Sequence, residues 1–74
     1  MNWNYRIVMH NNESGVYHAI HEVYYGEDGE PTAMSKEPDQ FMAEDPEELI
    51  EMLKLAIKDV EKYPVFIPPK DWNI

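Results

Sequence analysis

Residues 3–25, WNYRIVMHNNESGVYHAIHEVYY, hold two apolar-polar alternations separated by a cluster of turn formers, and the way the two halves pair decides the fold. Trp3, Tyr5, Ile7 and Met9 take the odd positions with Asn4, Arg6 and His10 between them, the period of two expected of a strand with one buried face. Asn11-Asn12-Glu13-Ser14-Gly15 supplies turn chemistry. A second run from Val16 to Tyr25 ends at Gly26-Glu27-Asp28-Gly29, whose Asp-Gly is itself a hairpin signal. Closing the first hairpin around residue 13 sets Met9 opposite Tyr17, Ile7 opposite Ala19, Tyr5 opposite His21 and Trp3 opposite Val23. One face then gathers these eight residues as the core. The other carries Asn4, Arg6, Val8, His10, Val16, His18, Ile20 and Glu22, and a slip of one residue would place Arg6 or Glu22 among the aromatics.

Beyond the hairpin, Pro31-Thr32-Ala33-Met34 reads as a short third strand and Ser35 to Gln40 as a loop. Asp45-Pro46-Glu47-Glu48 is a helix start: Asp45 caps free amides, Pro46 suits the first helical position, and Glu48 completes a capping box. Leu49, Met52, Leu53, Ala56, Ile57 and Val60 then recur at three- and four-residue spacing as a buried stripe, with Glu47, Glu51, Lys54, Lys58, Glu61 and Lys62 largely on the other side. Pro64 ends the helix, and Val65-Phe66-Ile67 reads as a last short strand ahead of Pro68-Pro69 and Trp72. The expected fold is therefore α+β: a three- or four-stranded antiparallel sheet packed on one helix, in the order β-β-β-α-β. It forms a single domain over residues 1–74, with a proline-containing strand and tail over 63–74.

Seventy-four residues without a cysteine exclude a disulfide framework and a thiolate zinc site, so apolar packing or a partner must supply the stability. No run approaches the roughly 18 apolar residues of a membrane span. The segment MNWNYRIVMHNN lacks the basic start and apolar core of a signal peptide, and a cytoplasmic location is expected. Fifteen acidic residues against six basic ones give a net charge of −9. Such a field repels nucleic acid and anionic membranes and speeds encounter with basic proteins.

The candidate chemical groups are the three histidines. Imidazole is a common metal ligand, but residues 18 and 21 differ by an odd number and point to opposite faces of a regular strand. His10 and His18 share the outer face with Glu22 and Arg6 nearby, a pair solvated rather than metal-bound. His21 faces Tyr5 as a half-buried core histidine, and Glu22 points away from it, so no general base with an orienting carboxylate is formed. The glycines sit at turns, the spacing of the acidic pairs matches no calcium loop, and the single arginine is not interleaved with aromatics. No catalytic residue, cofactor or metal site is expected, and the chain is read as a non-enzyme.

Three short stretches carry a resemblance to a known family. Gly15-Val16-Tyr17 resembles the glycine-aromatic start of the second strand of the HicB-like antitoxin domain. Ala43-Glu44-Asp45-Pro46-Glu47-Glu48-Leu49 looks like its helix-opening segment, and Ile67-Pro68-Pro69 is similar to its closing proline motif. The chain also looks like short bacterial proteins carrying an IHEVYY-type strand. The HicB-like resemblance implies a small degenerate ribonuclease-H-like fold that neutralises a basic ribonuclease toxin by direct contact. The functional expectation is a small acidic protein-binding module with a basic protein partner, or a second copy of the chain, and no direct nucleic-acid or membrane contact. The expected interaction face comprises Arg6, Val8, His18, Ile20, Glu22 and Tyr24, with Trp72 on the tail. The rival readings are a phage-type inhibitor or DNA mimic acting on a defence complex, and a histidine site built from His10, His18 and Glu22.

Overall fold

The computed structural model describes residues 2–72. Two long strands, β1 (Asn2–Asn12) and β2 (Gly15–Tyr25), form the hairpin. A short β3 (Pro31–Met34) adds to β2, and helix α1 (Pro46–Lys62) follows, so the chain is α+β in the order β-β-β-α. The sheet is antiparallel with strand order β1-β2-β3. A 3-10 turn, Lys70–Trp72, closes the described tail; Asn73 and Ile74 of the expected 63–74 segment lie outside the described residues.

The hairpin register differs by one residue from the expectation. Asn12 pairs with Gly15 across a two-residue loop, Glu13-Ser14, so Met9 lies opposite His18, Ile7 opposite Ile20, Tyr5 opposite Glu22 and Arg6 opposite His21. The turn itself supplies the reason. Asn12 accepts the Ser14 amide on Oδ1 at 2.9 Å, and Gly15 enters β2 at φ 124°, a conformation open to glycine and strained for other residues. Opposed residues share a face, so the expected core set divides. Tyr17, Ala19, His21 and Val23 face the same way as Asn4, Arg6, Val8 and His10, whereas Trp3, Tyr5, Ile7 and Met9 share the other face with Val16, His18, Ile20, Glu22 and Tyr24.

Both faces hide something, which is why a one-faced core was the wrong template. Val8, His21 and Val23 are fully enclosed on the first face, beside buried Asn4 and Arg6. On the second, Tyr5 is buried between Trp3, edge-on with ring centroids 5.1 Å apart, and Phe41 at 5.5 Å. Phe41 adopts φ 48°, rare for an aromatic residue, and its amide donates to Asp39 Oδ1 at 2.7 Å.

Strand β1 is flanked on its free edge by the end of the helix and the segment after it. The Tyr5 amide donates to Asp59 Oδ2 at 3.0 Å. Phe66 donates to the Ile7 carbonyl at 2.8 Å and accepts from the Met9 amide at 3.0 Å, which makes a single parallel bridge to Val8 where a last short strand over Val65–Ile67 was expected. The edge is thereby blunted without a long strand.

The helix begins as its sequence directs. Asp45 accepts the Glu48 amide on Oδ1 at 2.8 Å, Pro46 opens the first turn, and Tyr63 ends the helix in extended geometry ahead of Pro64. Its buried face is narrower than the expected stripe. Ala56 alone is buried, Leu49, Met52 and Val60 are half-buried, and Leu53 and Ile57 are exposed, because the helix rests mainly on one strand rather than on the breadth of the sheet.

Candidate functional site

The expected interaction residues do not form one surface. Arg6 is 9% exposed, and its guanidinium is committed: Nε and Nη2 donate to the Pro64 carbonyl at 3.1 and 2.8 Å, Nη1 donates to the Tyr25 hydroxyl at 3.2 Å, and the plane lies 5.0 Å from the Phe66 ring centre. It ties β1, β2 and the post-helix segment together. Val8 is enclosed, and Trp72 is half-buried with its ring 5.5 Å from Phe66. His18, Ile20, Glu22 and Tyr24 lie on the opposite face, where His18 is exposed and the others are half-buried. There the Tyr24 hydroxyl donates to Glu22 Oε1 at 2.7 Å. That bond to the carboxylate raises the Tyr24 phenol above its ordinary value, with burial adding to it.

The register also regroups the histidines. His10 was expected beside His18; it lies instead opposite Tyr17, its ring stacked on the phenol at 4.6 Å and 7°, and its Nε2 is 2.9 Å from Nε2 of His21. Along the strands the pair Val8–Ala19 lies between the pairs that carry the two histidines, and the rings meet across it. His21, expected opposite Tyr5 and half-buried, is opposite Arg6 and wholly enclosed.

The hydrogen bonds assign the tautomers. Nδ1 of His21 is 3.1 Å from the Ser35 carbonyl, which accepts only, so Nδ1 carries a hydrogen. In the neutral ring Nε2 is then the acceptor, and His10 donates to it from Nε2–H. Ser35 Oγ completes the network: it lies 3.2 Å from His21 Nδ1, accepts the Glu22 amide at 3.2 Å and donates to the Glu37 carbonyl at 3.0 Å. Burial holds the His21 imidazole below its ordinary value and outweighs the Ser35 carbonyl, which favours the cation; His10 adds to the fall and Glu37 opposes it. Beside the pair lies a cleft of about 660 Å³ whose walls are His10, Tyr17 and His21, the segment Lys36–Pro38, and the segment Ile67–Lys70.

The sequence contained a signal for this grouping. A two-residue loop between Asn12 and Gly15 places His10, Tyr17 and His21 on one face, whereas closing around residue 13 sets His10 on the face opposite Tyr17 and His21. Among the described residues there is no cluster of three or more histidine and acidic side chains arranged to hold a metal ion, and no helix is long and apolar enough to cross a membrane.

The helix carries a stripe of exposed apolar side chains. Ile50, Leu53 and Ile57, spaced three and four residues apart, are 49%, 42% and 56% exposed. They form a stripe beside the half-buried one, amid exposed Glu47, Glu51, Lys54, Lys58 and Glu61. Glu51 and Lys54 pair at 3.4 Å in open solvent, a contact of little energetic weight.

Compared with known proteins, the chain matches no family model, and no curated protein or solved structure is significantly similar to it.

Proposed function

We propose that the chain is a small acidic protein-binding module that docks a basic protein on the outer face of α1. The observation that carries this reading is the stripe Ile50, Leu53 and Ile57, left in solvent by a chain whose buried apolar core is Tyr5, Val8, Val23 and Ala56. Apolar side chains grouped at helical spacing suit a helix-and-groove contact, and a partner that covered them would add the burial a domain of this size lacks. The net charge of −9 selects the sign of that partner, since it opposes association with a second acidic copy and favours a basic surface. The resemblance to the HicB-like antitoxin domain, whose members hold a basic ribonuclease, supports the same partner type.

The module binds and does not catalyse. His21 has a histidine and a serine as hydrogen-bond partners and no carboxylate, and Glu22 is engaged with Tyr24 on the opposite face. Such an arrangement does not reproduce the histidine-carboxylate pair that orients an imidazole base in the catalytic triads.

The test is capture from a lysate of the source cells on the tagged chain, at low and at high salt, with identification and stoichiometry of what is retained. A basic protein held in a fixed ratio at low salt and weakened at high salt is expected. Retention of no stoichiometric partner at either salt contradicts the proposal.

A further inference from the structure

The His10–His21 pair is the most specific feature that partner binding leaves unused. It stands where β1, β2 and the 35–39 segment meet. His21 Nδ1 holds Ser35, and the same segment is joined to β2 by the Ser35 amide on the Glu22 carbonyl and the Asp39 amide on the Ile20 carbonyl, both at 2.8 Å.

Counting hydrogens on the four ring nitrogens fixes how the pair responds to acid. In the neutral pair His10 carries one on Nε2 and His21 one on Nδ1, and each finds its acceptor. A hydrogen added at Nδ1 of half-buried His10 would leave both bonds in place. A second proton must go to Nε2 of His21, where the His10 N–H already points from 2.9 Å. Two donors then face each other, and two cations share one enclosed position.

The neighbouring charges do not relieve this. Arg6, opposite His21 on β1, is turned to Pro64 and Tyr25. From β2, Tyr17 stacks on His10, while Glu22 and His18 lie on the other face. Lys36 and Glu37 line one wall of the cleft and Lys70 the other, so the single carboxylate there is matched by two ammonium groups.

We propose that His10 and His21 form a one-proton clasp that holds the 35–39 segment against β2 near neutral pH and releases it in acid. The direction follows from linkage. His21 is lowered in the folded chain, so its contribution is complete above the unfolded value, about 6.5, and is lost as the pH falls below it. The closed pair excludes the proton on Nε2 of His21 that the released pair takes up. Release is therefore favoured by up to about tenfold for each unit of pH between that point and the lowered value of the closed pair.

Ring-nitrogen NMR and amide hydrogen exchange test the clasp on the intact chain. At neutral pH, His21 is expected as the Nδ1–H form with a bare Nε2, and His10 with hydrogen on Nε2. Protection of the Ser35 and Asp39 amides, corrected for intrinsic exchange, should begin to fall below about pH 6.5, by up to about tenfold per pH unit, and level off once His21 is protonated in the closed chain. His10→Asn, whose amide can turn its oxygen toward a proton on Nε2 of His21, should weaken that slope, and His21→Gln should flatten it. The clasp is overturned by a His21 ring found as Nε2–H, by a His21 that titrates at its ordinary value with protection unchanged, or by a His21→Gln chain with the wild-type slope. If His21→Gln does not fold, the wild-type tautomers and protection profile decide alone.

Discussion

Arg6 is the only arginine in the chain, and it is spent inside the molecule. Its fork spans the Pro64 carbonyl and the Tyr25 hydroxyl, and the flat guanidinium sits by Phe66, a set of contacts a lysine cannot reproduce. Arg6→Lys should lower the urea-unfolding free energy by about 1–3 kcal/mol, the cost of leaving buried acceptors without donors. A chain with undiminished stability would mean these bonds are not formed in solution. Two tyrosines make a second residue-scale expectation. Tyr5 is raised chiefly by burial and Tyr24 chiefly by its bond to Glu22, so both should ionise later than an ordinary phenol in an alkaline absorbance titration. Groups raised in this way stabilise the fold below the unfolded value, about 10, and lose that contribution as the pH climbs through the folded value. Glu22→Gln should bring Tyr24 down and leave Tyr5 still raised by its burial.

At the scale of elements, the capped helix and the turn are the places where local sequence dictates geometry. Asp45→Ala removes the acceptor of the Glu48 amide and should cost about 1 kcal/mol, read from the same urea curves. Gly15→Ala meets no atom within 4 Å, so any cost is conformational and arises from φ 124°. The types and order of β1, β2, β3 and α1 were legible because each rests on local signals: alternation in β1, the Asp-Gly turn before β3, Asp45-Pro46 at the helix start and Pro64 after its end. Pairing was not legible in the same way. The alternation of Trp3, Tyr5, Ile7 and Met9 implies one apolar face, which only a hairpin closed around residue 13 would complete. The real constraint was the two-residue turn at Glu13-Ser14, which splits that set and brings Arg6 and His21 inside. The histidine pair was lost with the register, since His10 and His21 meet only when Asn12 pairs with Gly15. The helix stripe was overestimated for a related reason: spacing reveals which side chains share a face, whereas the width of the surface beneath decides how many are covered.

For the whole molecule, the decisive quantities are a small core and an excess of acid. Ile50, Leu53 and Ile57 remain in solvent beside the charged side of the helix, while His18, Ile20, Glu22 and Tyr24 lie on the sheet. The account assigns partner contact to the helix, and substitution there separates folding from binding. Because Leu53 and Ile57 are exposed, the double variant Leu53→Asp, Ile57→Asp should unfold within about 1 kcal/mol of the unaltered chain. The most direct measurement is the amount of basic protein captured at low salt by this folded variant beside the unaltered chain. The account predicts capture by the unaltered chain and its loss in the variant; equal capture by both would contradict it and remove the helix face from the contact.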